Sequence, residues 1–344
     1  MNSERIRQDL ARMAAHGGVE LRQKHPHWGD AILCDGLLYA ARALGSDAPA
    51  AEARAWFSPK LANGPRTDGW IWFWSAEALP ALDLYIGSGE QGYLDYARAV
   101  VSALESKATH TPDGAIVPHP PALEVWVDIS YFSAPAMARL GRLLSDPALI
   151  ERAFDQLEAH QRHLQDPSTG LFWHVAFIDK QAHSPCLWAR GNSWFSIAVP
   201  EVMAEVARAG LRERFAAKIA PIERALARQL NAVVELQDRS GLWHTIIDRA
   251  DSYLEASAAG GFALALGRAL RMQVGGLDLA RAREAYERAL AALCDKINRD
   301  GEFTGVSQQT PPGDFAFYNS IELGTAPFGT GVCLMALSEA LESA

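Results

Sequence analysis

Four cysteines in 344 residues are too few and too scattered to staple a fold. Cys34, Cys186, Cys294 and Cys333 include no closely spaced pair of the kind that binds zinc or cycles a disulfide, so free core cysteines are expected. The chain also lacks a G-x-x-x-x-G-K phosphate loop and a G-x-S-x-G nucleophile elbow, which argues against a P-loop nucleotide enzyme or a serine hydrolase of that type. Basic clusters are absent: the formal charge of −9 is spread along the chain, weighing against nucleic acid and against an anionic membrane surface. No apolar run approaches a membrane span. The start, M-N-S-E-R-I-R-Q-D-L-A-R, is a charged amphipathic helix without the apolar centre of a signal peptide, so the expected compartment is the cytoplasm. Period-two alternation is almost absent too, which leaves no large sheet to build a core.

What the sequence does contain is helical periodicity. With 49% hydrophobic and 21% charged residues, apolar positions recur at i, i+3, i+4 and i+7 over about twelve segments. They fall near 3–23, 29–44, 48–57, 71–87, 90–107, 128–144, 147–165, 191–209, 212–235, 252–272, 278–298 and 329–342. The connections between them alternate in character. Tight turns follow the even-numbered helices: L-G-S-D-A-P near 45, G-S-G-E near 88, L-S-D-P-A near 145, A-R-A-G near 209 and V-G-G-L-D near 275. Long connections follow the odd-numbered ones. In an antiparallel series successive connections lie at opposite ends, so the long loops share one face. Six such hairpins without a Pro- or Ser-rich linker predict an all-α, single-domain (α/α)6 barrel, a closed double ring spanning 1–344.

All ten tryptophans (Trp28, Trp56, Trp70, Trp72, Trp74, Trp126, Trp173, Trp188, Trp194 and Trp243) fall in or beside the long connections, which predicts an aromatic cleft on that face. P-C-L-W-A-R-G-N-S-W, residues 185–194, opens the eighth helix with Trp188, Arg190, Asn192 and Trp194; a guanidinium grips carboxylates and an indole face carries a sugar ring. Asp128, in E-V-W-V-D-I-S-Y-F-S-A, is either a helix N-cap or a carboxylic acid kept protonated by apolar surroundings. His119, His174 and His244 each sit in a long connection beside an aromatic or a turn, in I-V-P-H-P, G-L-F-W-H and G-L-W-H. Their spacing fits hydrogen bonding to a polar substrate better than metal binding, so no metal is expected. Glu255 opens the tenth helix and is either a first-turn partner of the helix dipole, the preferred reading, or a ligand contact.

Taken together, W-V-D-I-S-Y-F-S-A-P-A-M-A-R-L, G-L-F-W-H, W-A-R-G-N-S-W, Q-D-R-S-G-L-W-H, S-Y-L-E-A-S-A-A and the late G-T-G resemble the unsaturated glycuronyl hydrolases. The chain is most similar to glycoside hydrolase family 105, the unsaturated rhamnogalacturonyl hydrolases, with family 88 a more distant relative. The resemblance implies an (α/α)6 barrel without metal or organic cofactor. Its substrate would be a small lyase-generated oligosaccharide ending in a 4,5-unsaturated uronic acid. An aspartic acid, Asp128 by position, would protonate the enol-ether double bond and activate water, and the hydrated product would open its ring and release the next sugar. His174, Arg190 and Trp194 would line the substrate pocket, with His119, Trp188, Asn192, Trp72 and His244 nearby. Arg190 would pair with the uronate carboxylate, and Trp188 or Trp194 would stack on the ring. One departure stands out: family members carry a second aspartate at the start of the fourth helix, where D-G-W-I-W-F-W places Phe73 or a neighbouring tryptophan. Asp68 and Glu77 are the nearest acids, and Asp30 or Asp35 are candidate substitutes. The missing acid leaves open a barrel acting on another saccharide by ordinary hydrolysis or epimerisation, or an inactive sugar-binding protein.

Overall fold

Every second helix is apolar on one face only, and the helices between them are buried all round, which is the pattern of an inner ring shielded by an outer one. The computed structural model describes residues 3–23, 27–67 and 71–342; Asp68 and Trp70 lie outside the described residues. Among the described residues the helices are α1 (Ser3–Arg22), α2 (Trp28–Leu44), α3 (Ala48–Asn63), α4 (Ile71–Ser75), α5 (Ala78–Ser88), α6 (Gln91–Ser106), α7 (Ile129–Leu144), α8 (Pro147–Leu164), α9 (Ala189–Arg208), α10 (Ala216–Glu235), α11 (Ala256–Met272), α12 (Leu279–Asp295), α13 (Phe315–Ser320) and α14 (Pro327–Glu342). The twelve expected segments are all present. The fourth is split into α4 and α5, and α13 is an additional short helix inside the longest connection.

Helices α2, α5, α7, α9, α11 and α14 each touch the next and close into the inner ring. In α11 the whole run Ala256–Leu270 is buried. The outer α8 instead buries a stripe of Leu149, Ile150, Ala153, Phe154 and Leu157 and exposes the opposite face. The ring closes between its first and last members, where Gly36 and Gly331 let α2 and α14 meet backbone to backbone. A Cβ on Gly331 would lie 2.3 Å from the Ile32 carbonyl oxygen, so no larger residue fits that seam. Tight turns end the inner helices in left-handed residues such as Gly45, at φ 64°, and Gly89, at φ 72°. Asp146 and Asp278 then cap the next outer helices α8 and α12.

All six inner helices therefore run parallel, starting at the long-loop face and ending at the tight-turn face. Their last turns converge on a cavity of about 560 Å³, lined by Arg42, Arg139, Arg142, Arg208, Arg268 and Arg271 among acids. A charged network joins all six inner helices here. Arg139 meets Glu201 and Glu205 at 3.2 Å each, and also Asp83. Arg268 meets Glu201 at 2.7 Å and the Tyr39 hydroxyl at 2.8 Å, and Arg271 meets Glu339 at 2.9 Å. Burial pushes the Glu201 carboxyl up, but Arg268 and Arg139 outweigh it and hold it at about 2. The arginines also offset the negative ends of six helix dipoles, each equivalent to about half a charge, so this bowl is internally neutralised.

Asp35 lies in α2 on the inner side of the network, with its Oδ1 atom unpartnered. Burial first, and then the neighbouring Asp83 carboxylate, push it up from the ordinary 3.8 to about 8. Because the folded value lies above the unfolded one, its contribution to stability is full below about 3.8 and lost as pH rises toward about 8. The expected outcome for Asp35→Asn, which imitates the protonated acid, is a gain in stability over wild type that is larger at pH 8 than at pH 5. Urea unfolding of both proteins at the two pH values measures it; an equal difference at both would exclude a titrating Asp35.

Candidate active site

The opposite end of the barrel holds the aromatic cleft, and a short sheet positions its central residues. Residues 124–126 pair antiparallel with 175–177, with Trp126 opposite Val175, and 182–183 add a third strand. The pairing continues in a hydrogen bond from the Val127 N–H to the His174 carbonyl at 3.0 Å. One residue on, Asp128 turns into α7, so this register sets Asp128 beside His174. The His174 Nε2 atom lies 3.5 Å from Asp128 Oδ2. On its far side, His174 Nδ1 meets the Tyr318 hydroxyl at 2.6 Å. Asp128 sits at the N-cap position without making a side-chain capping bond, which leaves its carboxylate available.

The cleft encloses about 370 Å³ between Trp28, Trp72, His119, Trp126, Asp128, Phe132, His174, Trp188, Arg190 and the segment Gln309–Pro311, the size of a small-ligand site. Its walls are interlocked rings: His119 packs edge-on against Trp72 at 5.4 Å and against Trp126 at 4.8 Å, and Trp188 lies 4.3 Å from His174. Burial lowers the pKa of His119, which favours a neutral imidazole. Buried polar atoms normally find a partner. Here Asp128 Oδ2, His174 Nε2, Trp72 Nε1, Trp188 Nε1 and Arg190 Nε have none in the protein. A ligand rich in hydroxyl and carboxylate oxygens would satisfy them. Among the described residues no group of three or more His, Cys, Asp or Glu is arranged to hold a metal ion.

The structure brings the expected Asp128, His119, His174, Trp72, Trp188 and Arg190 together at one cleft, and Arg190 is already engaged within the protein. Its Nη1 donates to Ser307 Oγ at 2.7 Å, the Ser307 carbonyl at 2.9 Å and Ser257 Oγ at 3.2 Å. Its Nη2 donates to the Gln308 carbonyl and Thr310 Oγ1, both at 2.9 Å. The guanidinium is sandwiched between Trp188 and Phe328, 4.6 Å from each ring centre, with Glu255 at 3.6 Å. Both terminal nitrogens are thus occupied. Arg190 clamps the 307–310 segment over the cleft with both terminal nitrogens, and only its Nε is left for a ligand. Glu255 is structural, as read from the sequence: it caps α11 through Ser257 N and Ala258 N and accepts the Ser307 N–H.

Three other candidates are not in the cleft wall. Trp194 is 1% exposed and stacks on Tyr131 at 5.2 Å behind Trp28, so it supports the wall and cannot stack on a ligand. Asn192 is fully buried and pins the Phe172 backbone through its amide, at 2.7 and 2.8 Å. His244 bonds the Ser252 carbonyl at 2.5 Å inside a two-residue strand pair. The candidate substitutes for the second acid are also placed elsewhere. Asp30 accepts the His27 N–H at 3.1 Å in a capping box, Asp35 belongs to the charged network, and Glu77 meets Lys60 at 2.6 Å. Asp128 is the one carboxylate among the described residues lining the cleft. The tryptophans are more dispersed than expected: Trp28, Trp72, Trp126 and Trp188 line the cleft, whereas Trp243 is core, its Nε1 bonded to the Val233 carbonyl. Phe132, one turn into α7, was missed, as were Gln309–Pro311 and Tyr318, since nothing in the longest connection marked those segments as returning to the site.

Fold and cleft together define a helical double-ring barrel with an aromatic, acid-bearing cleft at its long-loop face. Residues 3–344 match the family model of Glycosyl Hydrolase Family 88, and the chain belongs to that family. The unsaturated rhamnogalacturonyl hydrolase YesR of Bacillus subtilis (strain 168) is 32% identical over 236 residues, 67% of this chain and 64% of that protein. The chain thus spans somewhat less than two thirds of this curated relative. A possible member of family GH105 from Klebsiella pneumoniae subsp. pneumoniae MGH 78578 shares the fold with a TM-score of 0.89 at 24% identity, covering 99% of this chain and 94% of the other. The unsaturated glucuronyl hydrolase of Bacillus sp. GL1 shares it at 0.75 and 16%, covering 98% and 96%.

Replacing Arg190 by Lys keeps the charge but cannot span Ser307, Gln308 and Thr310 at once. A loss of about 3 kcal/mol is expected, with faster amide exchange across 303–314, read by thermal unfolding and hydrogen exchange. An unchanged melting temperature with only a raised KM would restore the substrate-clamp role.

Proposed function

We propose that this chain removes a 4,5-unsaturated uronic acid from the non-reducing end of small lyase-generated oligosaccharides, by hydrating the double bond. What supports the reading most is Asp128, the single carboxylate among the described residues of the cleft, set beside His174 among aromatic walls. A conventional glycosidase needs two carboxyl groups about 5–9.5 Å apart across the glycosidic bond. Hydration of an enol ether needs one acid that first gives a proton to the ring carbon and then takes one from the attacking water. Asp128 meets that requirement alone. Trp72, Trp126 and Trp188 offer flat apolar surfaces to a ring flattened by its double bond. The N-termini of the inner helices face the cleft and favour an anionic substrate without a free arginine.

The names of the relatives agree with this chemistry: a rhamnogalacturonyl hydrolase and a glucuronyl hydrolase are both described as acting on unsaturated sugars. Asp128, His119, His174, Trp72 and Trp188 are the residues proposed to meet the substrate. Arg190, Asn192 and Trp194 hold the wall in place. The reaction as proposed uses no metal or organic cofactor. A cytoplasmic setting belongs to the same reading, supported by four buried, unpaired cysteines; no described helix is long and apolar enough to cross a membrane.

Unsaturated disaccharides lose the absorbance of their double bond on turnover, which gives a direct assay. Asp128→Asn is expected to lower kcat by about 10²–10⁴-fold while the helical circular dichroism stays that of wild type. Retained turnover would remove Asp128 from the mechanism. Cleavage of saturated glycosides by wild type, with the band of every unsaturated substrate untouched, would overturn the hydration chemistry.

A further inference from the structure

Tyr318 is fully buried, 144 residues from His174 in sequence, and it packs in a small apolar cluster with Cys186, Trp188 and Ile246. Its hydroxyl lies 2.6 Å from His174 Nδ1. That contact has two possible polarities, because a neutral imidazole carries its one proton on either nitrogen.

Suppose first that Nδ1 carried the proton and donated to Tyr318. The phenolic O–H would then be left without an acceptor in a buried site, at a cost of about 1–3 kcal/mol. The bare Nε2 lone pair would also face the Asp128 oxygen 3.5 Å away, lone pair against lone pair. Suppose instead that Tyr318 donates to Nδ1. The hydroxyl is then satisfied, its oxygen remains open to the backbone N–H of Gly313, and Nε2–H points toward an acceptor. Burial raises the phenol pKa further, so the donating proton stays in place across the working range.

We infer that Tyr318 is a positioning residue that fixes His174 in its Nε2–H tautomer and thereby turns an N–H, not a lone pair, toward Asp128 Oδ2 3.5 Å away. The consequence for Asp128 is an ordering of its two oxygens. With the Nε2–H dipole turned toward Oδ2 at 3.5 Å, a proton on Oδ2 is disfavoured, so the proton that Asp128 transfers resides on Oδ1. As that proton passes to the substrate carbon, the charge left on the carboxylate is met by His174 Nε2–H. The attacking water then returns a proton to Oδ1, restoring the acid. This catalytic role rests on the proposed hydration reaction; the tautomer does not, and can be read in the free enzyme.

The test is ¹⁵N NMR of histidine-labelled enzyme, with the His174 signals assigned by their disappearance in His174→Gln. Wild type is expected to show Nε2 protonated and Nδ1 bare, and Tyr318→Phe, which keeps the ring, to lose that preference. With an unsaturated disaccharide the same variant is expected to lose about 10-fold or more in kcat, with KM within about 3-fold of wild type. A wild-type His174 protonated on Nδ1 overturns the inference even if Tyr318→Phe fails to fold. So does a folded Tyr318→Phe whose kcat stays within about 2-fold of wild type. Absence of turnover by wild type on every unsaturated uronide, with the Nε2–H tautomer present, would count against the hydration reaction and leave the tautomer assignment standing.

Discussion

Six inner helices lie parallel in a closed ring, and the field that this creates shapes both ends of the molecule. Their dipoles add at each face, each carrying about half a charge. At the tight-turn face the negative ends gather, and the chain places Arg42, Arg142, Arg208 and Arg271 in or beside the last turns, with Arg139 and Arg268 buried just beneath. Isolated surface pairs contribute little. This network is different, since Arg139, Arg268, Glu201, Glu205 and Glu339 are nearly all buried and each has several partners. The cavity at the tight-turn face is therefore a neutralised bowl.

At the other face the positive ends gather, and that changes what the side chains there need to do. An anionic sugar is favoured by the helix starts themselves, so Arg190 is free to act as a structural clamp. Its five hydrogen bonds and two flanking rings hold the 307–310 segment against the starts of α9, α11 and α14. The wall of the cleft then consists of parts from distant connections locked together: a strand pair sets Asp128 against His174, the clamp sets Gln309–Pro311 above them, and Tyr318 closes the far side of His174. Behind the wall, Trp194 and Asn192 keep the scaffold rigid, which is what a site of this kind requires of its supports.

Helix periodicity and the alternation of short and long connections were sufficient to place the ring, the order of its elements and the face that carries the aromatic cleft. They work because an inner helix is apolar all round, an outer one on a single stripe, and turn residues such as Gly45 and Gly89 announce themselves by the backbone they require. The motif around Asp128 was legible for a similar reason: an acid that opens a helix in an apolar run stands out as a cap or a reagent, and its side chain makes no capping bond. The fate of polar side chains was less legible. An arginine followed by glycine and asparagine reads the same whether its nitrogens meet a ligand or the carbonyls of a loop 117 residues away. The residues at 192 and 194 share a helix with residue 190, but the helical turn rotates them into the protein interior.

By itself, then, the sequence determined the helical double ring, the single apolar-flanked acid and the family to which the chain belongs, all of which depend on local pattern and spacing. Only the tertiary structure decided that Arg190 is a clamp, that no second carboxylate among the described residues reaches the cleft, and that Tyr318 stands behind His174. Those facts depend on which of many polar groups satisfy one another across the closed ring, and hydrogen bonds between residues more than a hundred positions apart leave no periodic trace in the chain.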